Sequence, residues 1–250
     1  MSTFNIPLAL ATGSFSAGYL GAGIGPHFVL AKAHIDSLVS NVPIPDNPIT
    51  ATRNVSPDLG RLGFMGNAHL GYGHSFPNHF YLGIELFGER YSNYAHMSEL
   101  RQIKVTAGTS NATTIISEKY QNKVSYDYGL SIRPGWQPSL RSLIYLSVGF
   151  AIGKLKSFHG INFLGNFFEI PSTIEKKDLQ MGFRAGLGTS IRLLRHLAFR
   201  LEYLYTHYGQ FELPKASFTL SQTSPPTRIS ISNTAKVSKH ALILSLDYWF

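Results

Sequence analysis

Residues 143–153 of the chain read Leu143-Ile144-Tyr145-Leu146-Ser147-Val148-Gly149-Phe150-Ala151-Ile152-Gly153, and this stretch decides the fold. Large aliphatic or aromatic residues occupy every second position from Ile144 to Ile152, and the positions between them hold Tyr, Ser, Gly and Ala. Successive side chains of a β-strand point to opposite faces, so a period of two over about ten residues predicts a strand with one strongly apolar face.

The same alternation recurs seven more times along the chain. The apolar positions of these stretches begin at Leu20, Leu62, Phe80, Tyr126, Phe183, Leu197 and Leu242. The sequence therefore predicts eight strands and an all-β protein.

Short and long connections alternate between the predicted strands. Short turns are predicted at 76–79, 137–141 and 194–196, the first two with Pro77-Asn78 and Pro138-Ser139 as strand breakers. Long polar loops are expected at about 36–60, 92–123, 156–177 and 209–237. This alternation is typical of an antiparallel meander with a short-turn end and a long-loop end.

Composition excludes several classes of protein. The chain has no Cys, so it has neither a disulfide framework nor a thiolate metal site. Its longest nearly uncharged run, 143–153, is far shorter than the ~20 residues of a membrane-spanning helix. The net charge of +8 suggests an anionic membrane surface or nucleic acid as partner. No basic helix or aromatic-basic stacking face is present, so nucleic acid is not expected.

The polar face of the strands is rich in glycine, carries isolated Arg and Glu, and has almost no Lys. Its glycines are Gly21, Gly23, Gly25, Gly63, Gly71, Gly73, Gly83, Gly129, Gly149, Gly153, Gly182, Gly186 and Gly188. Small side chains suit the narrow interior of an eight-stranded barrel, so this face is predicted to line the lumen. The aliphatic face would then meet lipid. A soluble ligand-binding barrel, with its apolar face inside, is the alternative.

Aromatic residues on the apolar face gather near the strand ends. We predict a membrane-interface girdle that contains Phe76, Phe80 and Trp136, with Tyr248 and Phe250, at the short-turn end and Tyr203 and Tyr205 near the opposite rim.

Ten charged residues of nearly balanced sign are expected to face the lumen. They are Glu85, Glu89, Asp127, Glu202 and Asp247, and Arg61, Arg133, Arg184, Arg192 and Arg200. Buried charges must be paired, which favours a structural ionic network. A narrow pore gated by re-pairing of these ions, or acid-base catalysis by a carboxylate pair, are the other interpretations. The ten His show no metal-ligand spacing, so neither metal nor cofactor is expected.

Several stretches together carry a resemblance to a known family. They are Gly18-Tyr19-Leu20-Gly21-Ala22-Gly23-Ile24-Gly25, residues 81–85, 182–188 and 199–205, and the final residues 244–250. The sequence resembles the eight-stranded outer-membrane barrels similar to the OmpA transmembrane domain and the opacity-type surface antigens. Leu244, Leu246, Tyr248 and Phe250 resemble the terminal signal that the barrel-assembly machinery reads.

The resemblance implies an eight-stranded, antiparallel, up-and-down transmembrane β-barrel in the outer membrane of a Gram-negative bacterium, with both termini periplasmic. Residues 18–250 would form the barrel domain, and 1–17 a signal-peptide remnant or periplasmic lead-in. The expected function is structural, surface-interacting or adhesive, through four long extracellular loops that contact host or environmental ligands. A small-solute porin-like channel is the alternative.

A lipid-modifying outer-membrane enzyme is a less favoured alternative. The lipid A deacylases of this architecture use a His-x-Ser-Asn sequence, whereas Gly209 and Gln210 stand at the Ser and Asn places after His207. No enzymatic activity is therefore predicted.

Basic residues are frequent in the stretches assigned to loops. They are Lys104, Lys119, Lys123, Lys156, Lys176, Lys177, Lys215, Arg228, Lys236 and Lys239. Bases beside a membrane suit lipid phosphates, so outer-membrane lipids and lipopolysaccharide are expected partners. Simple solvation of the loops is the other interpretation.

Overall fold

The computed structural model describes residues 15–41, 53–55, 58–92, 95–107, 110–165, 168–212, 216–220 and 227–250. Side chains are described within 15–30, 60–92, 123–156, 176–210 and 234–250, with 61 and 235 excepted. In this part of the chain, no helix has the length and apolar character needed to cross a membrane.

The described elements are eleven β-strands, all paired antiparallel. They are β1 (Ala17–Asn41), β2 (Arg53–Val55), β3 (Asp58–Ser75), β4 (Phe80–Tyr91), β5 (Ala95–Ala107), β6 (Ser110–Ser139), β7 (Ser142–Gly165), β8 (Phe168–Arg192), β9 (Leu197–Glu212), β10 (Ala216–Leu220) and β11 (Thr227–Trp249).

Eight of these strands close into a barrel, in the order β1-β3-β4-β6-β7-β8-β9-β11. The last strand pairs with the first, from Tyr19 opposite Trp249 to Asn41 opposite Thr227. Closure leaves no unpaired edge in the barrel wall, as a hydrocarbon environment requires. The predicted fold class is confirmed.

The predicted long loops are wrong over much of their length. The β6–β7 ladder continues outward to Ile115 opposite Leu164, and the β7–β8 ladder to Gly165 opposite Phe168. The strands β2, β5 and β10 were not predicted at all; β5 pairs with β6 from Ala95–Asn122 to Ala107–Ser110. Alternation of apolar and polar residues marks a strand only where one of its faces meets an apolar phase. The sequences of these extensions show no sustained alternation; in residues 154–165, for example, Leu155, Phe158 and Ile161 are three residues apart.

The opposite end of the barrel is formed by short turns, at 76–79, 140–141 and 193–196. Backbone hydrogen bonds tie each turn to the next strand end: Gln137 N donates to His79 O (2.8 Å), Arg192 N to Arg141 O (2.8 Å), and Trp249 N to His196 O (2.8 Å). These turns lie where they were predicted.

The two faces of the wall have the predicted character. Aliphatic side chains such as Ile24 and Leu146 are exposed on the outside, while polar residues and glycines face inward. At Gly21, an added Cβ would lie 2.2 Å from Nε2 of His69 and 2.3 Å from Oδ1 of Asp247. Glycine is needed there because the lumen is already full of charged side chains.

Candidate functional site: the charged lumen

Inward-pointing side chains fill the described barrel in three successive groups. The aromatic layer lies at the short-turn end and consists of Phe15, Ala17, Tyr19, Tyr81, Leu143, Tyr145, Ala198 and Trp249. Above it lies the lower ion cluster around Glu85, and nearest the long hairpins lies the upper ion cluster around Glu89. Each group draws on several strands, because inward positions recur at every second residue of each.

The aromatic layer closes the lumen at the short-turn end. Phe15 packs edge-on against Trp249, with ring centroids 5.1 Å apart. The guanidinium of Arg192 lies 4.6 Å from the centroid of the Phe15 ring, in cation–π geometry. Phe15 falls in the segment 1–17 that was treated as a lead-in, and nothing in the alternation pattern pointed to its burial.

Glu85 of β4 is the centre of the lower ion cluster. Its Oε2 lies 2.6 Å from Nη1 of Arg133 and 2.7 Å from Nη1 of Arg200, and it accepts a hydrogen bond of 3.0 Å from the Tyr19 hydroxyl. Two arginines on other strands therefore converge on a single carboxylate.

Both arginines bind a second carboxylate as well. Arg133 Nη2 lies 2.8 Å from Oε2 of Glu202, and Arg200 Nη2 lies 2.6 Å from Oδ2 of Asp247. Nε2 of His69 also lies 2.8 Å from Oδ1 of Asp247. All these side chains are almost completely buried, so each charge depends on its partners rather than on water.

The upper ion cluster joins Glu89 and Asp127 to two cations. Glu89 lies 2.7 Å from Nη2 of Arg184 and 2.9 Å from Nζ of Lys239, and Lys239 lies 2.8 Å from Oδ2 of Asp127. The hydroxyls of Tyr91 and Tyr208 donate to Asp127, and Tyr91 also contacts Glu89 and Lys239.

The position of Lys239 corrects the sequence analysis, which counted this residue among the loop bases. Its side chain is fully buried in the lumen. Lys239 has the inward parity of Ile243 and Asp247 on β11, and this parity was the signal that could have placed it. Lys239 was missed because only the apolar positions of the strand were followed.

One amide connects the two ion clusters. Asn67 Nδ2 donates to Oε1 of Glu89 at 3.3 Å, and Asn67 Oδ1 lies 2.6 Å from Nδ1 of His69. Because His69 in turn contacts Asp247, a continuous chain of polar contacts runs along the barrel axis. Neither Asn67 nor His69 was singled out by the sequence.

The structure brings together most of the predicted lumen charges. Eight of them lie in the two ion clusters: Glu85, Glu89, Asp127, Glu202, Asp247, Arg133, Arg184 and Arg200. Arg192 lies instead against the aromatic layer. The side chain of Arg61 lies outside the described residues. The division into two clusters was not predicted, since sequence parity gives the face but not the partner.

The predicted girdle and terminal residues lie on the outside of the barrel. Phe76, Phe80 and Trp136 are exposed near the short-turn end, as are Tyr248 and Phe250 of the terminal strand. Leu244 and Leu246 share that outward face. Near the opposite rim, Tyr203 is exposed, Tyr205 is partly exposed, and the Tyr203 hydroxyl lies 2.7 Å from Nδ1 of His240. Their roles at the membrane interface and in assembly remain predictions.

The chemistry of the lumen is that of mutually neutralising ions. Among the described side chains, no group of three His, Asp or Glu could hold a metal ion. Within the same side chains, no described hydrogen bond joins a serine hydroxyl to a histidine. Each described buried carboxylate faces a cation at 2.6–2.9 Å, so the charges neutralise one another.

Comparison with known proteins found a curated relative and solved structures to which the chain is similar. The chain is 24% identical over 242 residues to a 31 kDa outer-membrane immunogenic protein of Brucella melitensis, covering 96% of this chain and 85% of the relative. Among solved structures it is similar to Neisserial surface protein A (13% identity, 94% and 98% of the two chains, TM-score 0.41). It is also similar to the outer membrane protease OmpT of Escherichia coli (10% identity, 93% and 97%, TM-score 0.46).

The family described as outer membrane protein beta-barrel domain matches residues 1–250. This match covers the whole chain and does not test the division at residue 17, which remains a prediction. The protein is an outer-membrane β-barrel, and the chain belongs to the outer membrane protein beta-barrel domain family.

Proposed function

We propose that the protein is a non-conducting outer-membrane barrel that presents β-hairpins at the cell surface for structural or adhesive contacts, and that it is not an enzyme. The single observation that carries this proposal is the filled lumen. The aromatic layer and the two ion clusters follow one another along the axis of the described barrel.

A solute crossing the barrel would have to separate these groups. The side chains of Arg133 and Arg184 are among the largest in the lumen. No more than 2% of either residue is exposed. Separating a buried ion pair leaves uncompensated charge, and loss of one partner of such a pair costs about 3–5 kcal/mol. This cost disfavours a porin-like channel, in which a polar lumen stays open to water.

With the lumen closed, the hairpins beyond the barrel are the parts available for interaction. The β5–β6 hairpin extends from Ala95–Asn122 to Ala107–Ser110, and the β7–β8 hairpin reaches Gly165–Phe168. We assign these hairpins to the cell exterior and the short turns to the periplasm, as in other bacterial barrels. Both termini would then be periplasmic, because Phe250 N donates to Gly18 O at the short-turn end.

Two further considerations support a surface role. The Brucella relative is named an immunogenic protein, which fits a chain whose hairpins are exposed to the outside. The hairpin sequences contain Lys104, Lys119, Lys176 and Lys177, whose charge suits lipopolysaccharide phosphates or an acidic host surface. During insertion, the barrel-assembly machinery would bind the terminal strand.

Planar-bilayer recording of the purified, refolded barrel tests the closed lumen. We expect no steady conductance above that of a protein-free bilayer. Frequent large openings would overturn this part of the proposal and support the small-solute channel instead. A variant in which Glu85 and Asp247 are both changed to Ala is the positive control, because it removes two carboxylates that hold the lower cluster together.

Adhesion of bacteria that display the protein tests the hairpins. Replacing residues 95–122 by a short turn removes β5 and its paired part of β6, together with the β6–β7 pairs from Ile115–Leu164 to Asn122–Ser157, and keeps the ladders nearer the short turns. We expect this variant to reach the outer membrane but to bind an epithelial cell monolayer less well than the full chain. Shortening β7 and β8 at residues 160–173 tests the second hairpin in the same assay. Unchanged adhesion in both variants would contradict the surface role.

The mass of lipid A in a deletion strain tests the absence of enzymatic activity. If the protein is not a lipid-modifying enzyme, the masses should be the same as in the parent strain.

A further inference from the structure

The turns at the short-turn end contain exposed leucines. Leu140, Leu193 and Leu194 are 60%, 51% and 63% exposed, although turns usually consist of polar residues and glycine. These leucines lie just beyond the aromatic residues Trp136 and Tyr248, which face outward at the same end. They therefore extend the apolar outer surface past the aromatic girdle.

The leucine-bearing turns are neighbours in the structure. The backbone N–H of Arg192 donates to the carbonyl of Arg141 at 2.8 Å, and Ser142 pairs with Ile191 across β7 and β8. Arg141 and Arg195 thus lie in two adjacent turns, each flanked by exposed leucine. Arg195 is exposed and Arg141 is partly exposed.

In the part of the chain that the structure describes, the surroundings of these arginines carry no acidic side chain at the surface. Residues 15–18, 75–80, 137–142, 192–198 and 248–250, which form the short-turn rim, contain three Arg and no Asp or Glu. The nearest carboxylates along the strands, those of Glu202 and Asp247, are buried and bound to Arg133 and Arg200. Among the described side chains of the rim, the formal charges are therefore all positive, and they lie beside an apolar surface.

We propose that the short-turn rim binds anionic phospholipids of the adjacent leaflet, with Arg141 and Arg195 on the lipid phosphate and the turn leucines against its glycerol and upper acyl carbons. Guanidinium groups pair with phosphate through two parallel hydrogen bonds, and basic residues beside a membrane attract anionic headgroups. Placing this lipid in the inner, periplasmic leaflet rests on the orientation given under the proposed function.

Native mass spectrometry of the refolded barrel in detergent micelles tests the site. The probes are phosphatidylglycerol and phosphatidylcholine with identical acyl chains. We expect tighter binding of phosphatidylglycerol, and a loss of roughly 25-fold in that affinity for the double variant Arg141→Gln/Arg195→Gln, from a contribution of about fivefold per cation. Heat-modifiable gel mobility confirms that each variant is folded.

The double variant Lys154→Gln/Lys236→Gln is the matched control, since it removes two cations far from the short-turn rim. It is expected to keep the preference for phosphatidylglycerol. Equal binding of the two lipids by the unaltered protein would overturn the proposal, as would an equal loss of affinity in both double variants.

Labelling separates this proposal from the assignment of sidedness. The chain has no Cys, so Asn78→Cys places a single thiol in the exposed 76–79 turn. A membrane-impermeant maleimide is expected to label it only after the outer membrane is opened. Labelling in intact cells would refute the orientation and the inner-leaflet placement, whereas the absence of a phosphatidylglycerol preference in the unaltered protein would refute the lipid site itself.

Discussion

The ammonium group of Lys239 lies 2.8 Å from Oδ2 of Asp127, and both side chains are completely enclosed. Lys239 is on β11 and Asp127 is on β6, two strands that do not pair with each other in the barrel. The ion pair therefore crosses the lumen and joins separate parts of the wall. Glu89 of β4 binds the same ammonium group at 2.9 Å, so one lysine links three strands.

Replacing Lys239 is expected to destabilise the barrel strongly. Lys239→Met leaves Glu89 and Asp127 buried without this cation, and removing one partner of a buried ion pair costs about 3–5 kcal/mol. Urea unfolding in lipid vesicles, followed by tryptophan fluorescence, measures the loss. Lys236→Met, at an exposed position of the same strand, is the control and should change the free energy of unfolding by less than about 0.5 kcal/mol. Equal stability of the two variants would show that the cross-lumen pair is not needed.

Leu146 tests the assignment of the aliphatic face to lipid. It is about half exposed on the outside of β7, near the middle of the strand's apolar run. Leu146→Arg should reduce the free energy of folding into a bilayer by about 2–4 kcal/mol, because charge at the membrane midplane is costly on the lipid face of a barrel. Leu146→Phe serves as the apolar control and should fold nearly normally. A wild-type yield and folding free energy for the arginine variant would argue against the assigned face.

Two neighbouring glycines differ sharply in the space around them. At Gly129, an added Cβ would lie 2.0 Å from the backbone oxygen of Phe150 and 2.7 Å from Cζ of Phe87, whereas at Gly88 nothing lies within 4 Å. Gly129→Ala must therefore displace a paired strand, and overpacking of this kind typically costs about 1–3 kcal/mol. Gly88→Ala should be close to neutral. Comparing their urea midpoints in vesicles checks this, and similar midpoints would refute the tight packing around Gly129.

Phe250 is expected to matter for assembly rather than for the stability of the finished barrel. Its side chain is 72% exposed, so Phe250→Ala removes little packing. We expect the purified variant to lose no more free energy of unfolding than Phe64→Ala, because each change removes one outward-facing phenyl ring. Its amount in the outer membrane of intact cells should nevertheless fall several-fold. Phe64→Ala, equally exposed on β3, provides the comparison. An undiminished amount of the Phe250 variant in cells would contradict the proposed assembly signal.

Local periodicity alone was sufficient for the eight barrel strands, their two faces and the three short turns. Alternation such as that of residues 143–153 reports directly which side chains share a face, because the backbone geometry of a strand imposes a period of two. The inward placement of Glu85, Asp127 and Arg200 followed from the same rule. The outer extensions of the strands escaped it, because their sequences show no alternation sustained over about ten residues.

Closure of the barrel decided which inward groups meet. Lys239 and Glu89 are 150 residues apart along the chain, and they touch only because the register of every intervening strand brings them to the same height across the lumen. No local sequence pattern can show that two residues so far apart along the chain are in contact. The split into two ion clusters, the Asn67 and His69 link between them and the burial of Phe15 all arise in this way. Periodicity determines which face of the wall each side chain occupies. Which partner it contacts depends on the registers of all the strands between the two residues.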